Sequence, residues 1–181
     1  MKDVINLLFE ARILKEIPRT GYHFLGSGRE SVAEHAFSTI FIGYVLSKMV
    51  PEADALKLLQ LCLVHDLPEA RTGDLNYVHK KYLNIDGAKV FKDIASGLPF
   101  GDHIIALLEE FDQSETLESR LANDADQLSF ILELKVLSDR GDRPPEKWLR
   151  YVLSRLKTEA GKEIAREILK TESDEWWFDR I

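Results

Sequence analysis

His65 and Asp66 stand side by side at the end of a leucine-rich run that begins near Ala53. An imidazole and a carboxylate buried there without partners would each carry a heavy desolvation penalty. His35 lies thirty residues before His65, within Ser31-Val32-Ala33-Glu34-His35, and Asp126 lies sixty after Asp66, among Ala122, Ala125, Leu128 and Phe130. Taken singly, His35 reads as a satisfied core histidine and Asp126 as a buried cap or ion-pair partner. Taken together, two imidazoles and two carboxylates make an N2O2 set for one divalent ion, whose binding offsets the desolvation of every member. Four protein ligands on a six-coordinate ion leave places for water and a substrate oxygen, the layout of a hydrolytic centre. A closed four-ligand zinc site would be structural instead. Manganese, cobalt, iron, nickel, copper and zinc all accept such donors. Asp124, two residues before Asp126 and on another helix face, competes for the last place.

Other residues in reach of this chemistry are weaker alone. Glu69 and Asp74 follow Asp66 by three and eight residues; singly they read as a solvated glutamate and a Gly-Asp turn. Arg19, in Pro18-Arg19-Thr20-Gly21, offers the planar donor fork that suits phosphate. Lys80 and Lys81 are further cations, or plain surface charge. Gly26-Ser27-Gly28 begins like a dinucleotide fingerprint but lacks the third glycine and a preceding strand. His23, His79 and His103 have no comparable constellation and read as surface residues. Cys62, between Leu61 and Leu63, reads as inert core. Trp176-Trp177-Phe178 form an apolar patch, expected to pack on the N-terminal helix or across a subunit boundary.

Helices must position these groups, because no segment shows sustained period-two alternation. Val4, Leu7, Leu8, Ala11 and Leu14 predict a helix from Asp3 to Glu16, ahead of Pro18. Ser31 and Glu34 have the form of a capping box, and Val32, Ala36, Ile40, Tyr44 and Val45 trace an apolar face up to Pro51. Leucines ring the next helix, Ala53 to Asp66, which is expected to lie enclosed at the centre. Weaker patterns predict helices over Leu75–Leu83, Ala88–Ser96 and Asp102–Phe111. A strong one covers Thr116–Leu137, with Leu121, Ala125, Leu128 and Leu132 on one stripe. Pro144 and Pro145 open another, and Glu159–Leu169 is the last. The expected fold is all-α, a bundle of about eight helices around a buried central one.

Composition narrows the classes. The chain has 181 residues, 45% of them hydrophobic, enough for one domain with a full core. Its 24 basic and 31 acidic residues leave a net charge of −7, which disfavours nucleic-acid polymers and anionic membranes as partners. A small phosphorylated substrate needs only a few local cations. The single cysteine excludes an internal disulfide and fits a cytoplasmic protein. Neither a signal peptide nor an apolar run of membrane-spanning length is present.

The ordered set His35, His65-Asp66, Asp126 resembles the H…HD…D signature of the HD-domain metal-dependent phosphohydrolases. His65-Asp66-Leu67-Pro68-Glu69-Ala70-Arg71-Thr72-Gly73-Asp74 is similar to the HD-x-x-E-x-x-x-G-D segment of the 5′-deoxynucleotidase branch. Ser31-Val32-Ala33-Glu34-His35 resembles that branch's S-V-x-E-H, and Ala125-Asp126-Gln127-Leu128 its A-D-x-L. The likeness spans about residues 5–140 and selects Asp126 over Asp124. It implies one HD domain over 1–181, with a metal-site core at about 31–140 and C-terminal helices over 144–181 packed on it. It further implies Glu69 as catalytic acid/base, Asp74 as a second catalytic carboxylate, and Arg19 with Lys80 and Lys81 as binders of substrate phosphate. The implied reaction is phosphate release from nucleoside, chiefly deoxynucleoside, 5′-monophosphates by a homodimer. The branch member that discriminates deoxyribose carries an aromatic directly after its arginine; here that place is Thr20, and the nearest aromatic is Tyr22. Two readings stand beside this one. One is an HD-type phosphodiesterase or guanosine tetraphosphate-type hydrolase; the other is a non-catalytic, metal-stabilised regulatory domain.

Overall fold

A computed structural model describes residues 1–142 and 146–178. Among them the chain is helical without a strand pairing beyond one isolated antiparallel bridge, Pro18 to Ser31. In order the helices are α1 (Lys2–Ile13), α2 (Tyr22–Leu25), α3 (Val32–Met49), α4 (Ala55–Val64) and α5 (Glu69–Thr72). A 3-10 turn (His79–Lys81) leads to α6 (Gly87–Ala95), α7 (Gly101–Gln113), α8 (Leu117–Asp139), α9 (Glu146–Leu153), α10 (Glu159–Ile168) and α11 (Glu175–Phe178). The all-α fold expected from periodicity is borne out. Pro144 and Pro145 lie outside the described residues.

Side-chain caps mark where the helices begin. Ser31 Oγ accepts the Glu34 N–H at 3.2 Å while Glu34 accepts the Ser31 N–H at 2.6 Å, the reciprocal box at the start of α3. Thr116 and Ser119 do the same for α8, and Asp54 accepts the Lys57 N–H to open α4.

The buried central helix is α8, whose Leu121, Ala122, Ala125, Leu128, Ile131 and Leu134 are fully enclosed. Helices α3, α4, α7, α9 and α10 pack around it. Helix α4 is less enclosed than its composition suggests: Leu56 and Leu63 are 67% and 59% exposed. They are seven residues apart, so one stripe faces solvent while Leu58, Leu61 and Cys62 face the core. At Gly43 a β-carbon would meet Cys62 Sγ at 2.7 Å, so the glycine sets the close approach of α3 to α4.

The buried face of α3 also differs from expectation. Val32, His35, Thr39, Ile42 and Leu46 point inward, whereas Tyr44 and Val45 are exposed. A walk in steps of four drifts about 40° per step around an α-helix, so the Val32–Ala36–Ile40–Tyr44 line leaves the core by its end. Leu75–Leu83 is not an α-helix. The Asn76 side chain accepts the N–H groups of Val78 and His79 at 2.9 and 3.1 Å, local bonds that compete with helical ones.

Two apolar clusters flank the helix that carries the His-Asp pair. The larger joins α3, α4, α7, α8, α9 and α10. The smaller holds Leu14, Val32, Leu67, Ile94, Ile104 and Leu108. Val64 packs against both, and His65 and Asp66 follow it directly, at the seam. The C-terminal Trp176 lines a cavity with Met49, Leu132, Val136, Ile164 and Ile168, on α3, α8 and α10 instead of the N-terminal helix.

Asp124 is fully buried and has a structural task. Its carboxylate accepts the N–H groups of Lys157 and Thr158 at 2.7 and 2.8 Å and the Thr158 hydroxyl at 2.6 Å. It therefore holds the turn that opens α10. Asp124→Ala leaves those donors unpaired and is expected to destabilise the protein by about 3 kcal/mol. Chemical denaturation checks this; an unchanged midpoint would show that water replaces the carboxylate.

Candidate metal centre

His65 caps the C-terminal end of α4. Its Nδ1 lies 2.9 Å from the Cys62 carbonyl, which can only accept, so Nδ1 carries a proton and Nε2 points into the seam. Nε2 is buried with no hydrogen-bond partner among the described residues; Asp66 Oδ2 lies 3.2 Å away as an ion-pair contact. His35, from the inward face of α3, places Nδ1 3.1 Å from Ser129 Oγ and Nε2 3.0 Å from Asp126 Oδ1. Asp66 Oδ2 lies 3.6 Å from the same Nε2. Ligand atoms of His35, His65 and Asp126 all fall within 4.8 Å of one another, and Asp66 joins them through both imidazoles. Gln127 donates to Asp126 Oδ2 at 2.7 Å, leaving Oδ1 toward the imidazoles.

The charges of this cluster are tightly linked. Burial disfavours ionisation of Asp126, but the His35 hydrogen bond and the neighbouring cations outweigh it and hold the carboxyl below its usual range. Asp66 is lowered likewise: burial opposes, His65 prevails. Burial works against a charged His65 too, yet Asp66 and Asp126 push it up to about 9. Burial and Arg19 lower His35. Two carboxylates thus draw positive charge to the point where an unpartnered imidazole nitrogen is aimed. That donor set fits a divalent cation.

The chain matches the family model described as HD domain over residues 11–169. It belongs to the HD-domain family. A 5′-deoxynucleotidase from Dictyostelium discoideum is 30% identical over 133 residues, covering 66% of this chain and 70% of the relative. A conserved hypothetical protein of known structure from Pyrococcus furiosus is 32% identical, with a TM-score of 0.78 over 92% of this chain and 99% of its own. A structure from Magnetospirillum magnetotacticum described as a metal-dependent phosphohydrolase has a TM-score of 0.72 over 93% of this chain and 90% of its own; at 21% identity it speaks for the fold alone. The resemblance read from the sequence, HD superfamily with a 5′-deoxynucleotidase relative, is borne out.

Around the HD cluster the other expected residues fall into three groups. Glu69 opens the single-turn α5 just beyond Asp66, and its Oε2 is buried with no hydrogen-bond partner among the described residues. Burial, then Asp66 and Asp74, pushes its carboxyl up to about 9, against the pull of Arg19 and His65. Arg19 also reaches the cluster, with Nη1 3.5 Å from Asp66 Oδ2. Its backbone is fixed by the bridge to the α3 entrance, Arg19 N–H donating to the Glu30 carbonyl at 2.8 Å.

Asp74 takes a bracing position. Its Oδ2 accepts the Thr20 N–H at 2.5 Å, and its carbonyl accepts the Thr20 hydroxyl at 2.9 Å, so it ties the Arg19 turn to the HD segment. Lys80 and Lys81 are exposed and make no described contact with the cluster. Lys81 Nζ sits 4.1 Å over the Tyr77 ring, and Lys80 is the cation felt by Asp112. Cys62 is buried, with its thiol pushed up to about 12, chiefly by burial. His23, His79 and His103 are exposed.

Sequence reasoning missed Ser129, Thr39 and Gln127. Ser129 is three residues after Asp126, and Thr39 is four after His35, with Oγ1 3.4 Å from its Nε2. Same-face spacing from a ligand was the available signal for Ser129 and Thr39; Gln127 directly follows Asp126 and had no such signal.

Behind Arg19, Glu30 is buried and accepts the Tyr22 hydroxyl at 3.3 Å. Burial, opposed by Arg19 and aided by Glu133, pushes its carboxyl from 4.5 up to about 7. A folded state that holds a proton more tightly than the unfolded chain is favoured at low pH. This contribution is full below about pH 4.5 and is lost as pH rises through about 7. Glu30→Gln is expected to flatten the fall of the thermal midpoint over that window. Parallel pH–melting curves for parent and variant would refute the assignment.

Proposed function

We propose that this HD-domain chain, acting as one domain over 1–181, hydrolyses nucleoside 5′-monophosphates with His35, His65, Asp66 and Asp126 as ligands of one divalent ion. The observation that carries the reading is the buried His65 Nε2, without a hydrogen-bond partner among the described residues, grouped with His35 and the Asp66 and Asp126 carboxylates, with Arg19 against Asp66. A bound ion would supply Lewis acidity at the phosphoryl group and a water of lowered pKa. Arg19 pairs its fork with nonbridging phosphate oxygens, and Asp74 holds the Thr20 turn that aims it. Glu69, protonated at neutral pH, hands its proton to the departing ribose 5′-oxygen; Asp74 supports that proton through its charge. Lys80 and Lys81 stand outside, able to attract a dianion but not to position it.

The named 5′-deoxynucleotidase relative supports a nucleotide as substrate. Thr20, held by Asp74 and Asn76, presents no ring to the sugar, and Tyr22 is buried with its hydroxyl engaged by Glu30. Ribonucleotides are therefore expected to be accepted alongside deoxyribonucleotides. The test is phosphate release from a panel of ribo- and deoxyribonucleoside monophosphates, diesters and guanosine tetraphosphate, with manganese, cobalt, iron, nickel, copper or zinc supplied. Turnover of diesters or tetraphosphate alone would replace this reading, and no turnover with metal bound would favour a regulatory domain. Among the described residues no helix is long and apolar enough to cross a membrane.

A further inference from the structure

Glu69 sits in an unfavourable place on a weak element. Its buried Oε2 has no hydrogen-bond partner among the described residues, a loss that local opening to water would relieve. Helix α5, which carries it, has four residues, no side-chain cap at its start and Gly73 at φ +71 to end it. So short a helix does not hold its shape alone. Leu67 and Ala70 join the smaller apolar cluster. Thr72 keeps its hydroxyl within the turn, donating to the Pro68 and Gly73 carbonyls at 3.3 and 3.0 Å. Arg71 reaches further. Its Nε and Nη2 donate to the two carboxylate oxygens of Glu10 on α1, the second at 2.9 Å. Nη2 also donates to the Asp93 carbonyl on α6 at 3.2 Å. Among the described residues, Arg71 is the residue of α5 whose side chain hydrogen-bonds to other helices.

We propose that Arg71 is a positioning residue: its fork on Glu10 and the Asp93 carbonyl clamps α5 to α1 and α6 and so keeps Glu69 at the HD cluster. The clamp stands on geometry alone; its effect on turnover rests on the acid role proposed above for Glu69. Two residues apart on a helix, Glu69 and Arg71 leave α5 about 200° from each other. One turn thus turns its acid inward and fastens itself by its outer side. A fork on a carboxylate fixes direction as well as charge, which a single contact would not. The pair is sheltered, with 37% of the Arg71 and 16% of the Glu10 side chain exposed. The clamp also gives α1, a helix without a fully buried residue, a task at the site. With the clamp broken, α5 opens more often and Glu69 spends that time in water. The four candidate metal ligands and Arg19 lie outside α5, so metal and phosphate binding are left in place.

Amide hydrogen exchange of the whole chain, read by mass spectrometry, tests the clamp directly. The N–H groups of Glu69 to Gly73 all donate within this turn, so their exchange reports its opening. Arg71→Ala should speed exchange over 69–73 by about 10-fold or more. Arg12→Ala, which breaks only the exposed Arg12–Glu16 pair on α1, should leave it unchanged. In phosphate release with divalent metal supplied, Arg71→Ala should lower kcat by about 10–100-fold and leave KM within about 2-fold. Arg71→Lys, which keeps the charge without the fork, should fall between. Glu10→Ala should act in the same direction, and the double variant should be no worse than Arg71→Ala, because both remove one contact. Unchanged exchange over 69–73 in Arg71→Ala, with its folding confirmed by helical circular dichroism, overturns the proposal whatever the turnover. So does faster exchange at the parent kcat when Glu69→Gln is inactive, since the turn then does not position the acid. If Glu69→Gln itself turns over like the parent, the acid reading fails, and exchange alone decides the clamp.

Discussion

His65→Ala is expected to abolish metal retention and phosphate release together. The imidazole is oriented from behind by the Cys62 carbonyl, and its Nε2 has no hydrogen-bond partner among the described residues, only the Asp66 carboxylate beside it. Losing an outer partner of a metal ligand usually costs about 10–100-fold in affinity; losing the ligand itself should exceed that. Ser129→Ala, which removes only the group behind His35 Nδ1, provides the lesser step of the same series. Metal content after dialysis, measured beside phosphate release, reads both. Parent-like metal stoichiometry in His65→Ala would remove His65 from the ligand set.

The second large effect belongs to Glu69. Glu69→Gln keeps the size and a donor hydrogen of the protonated side chain but cannot release a proton. Turnover is expected to fall by about 10²–10⁴-fold, the usual contribution of a general acid or base. Metal content and KM should stay near the parent's, because no ligand contact changes. Burial and the facing charges of Asp66 and Asp74 push the Glu69 carboxyl up to about 9, toward the protonated form that the proposed acid role needs. A variant that turns over at the parent rate with metal bound would make Glu69 structural, its unpartnered oxygen a packing consequence.

Local chemistry was legible where it is written in adjacent residues. The capping box of Ser31 and Glu34, the start of α8 at Thr116 and the all-α class follow from interactions within a turn or two. The ordered His35, His65-Asp66, Asp126 pattern was legible because the family motif keeps its order along the chain; the family itself is shown by the match over residues 11–169. The Leu75–Leu83 helix failed because the Asn76 side chain outcompetes a helical turn there, and periodicity carries no record of that competition.

What the sequence by itself determined is therefore the class of helices, their caps and the identity of the four candidate ligands. Tertiary structure alone decided the face each helix turns inward. On α3 the buried side is the one carrying His35 and Thr39, while Phe37, Phe41 and Tyr44 face outward. Hydrophobicity by itself would have ordered these the other way. It also separated Asp124 from Asp126: both are acids on one helix, but 200° of helical rotation sends Asp124 to the N–H groups of Lys157 and Thr158 and Asp126 to His35. It gave Asp74 a backbone to brace at Thr20 and left Lys80 and Lys81 exposed. The physical reason is that desolvation and charge pairing depend on what converges from distant segments, and a one-dimensional pattern holds only what is near in the chain.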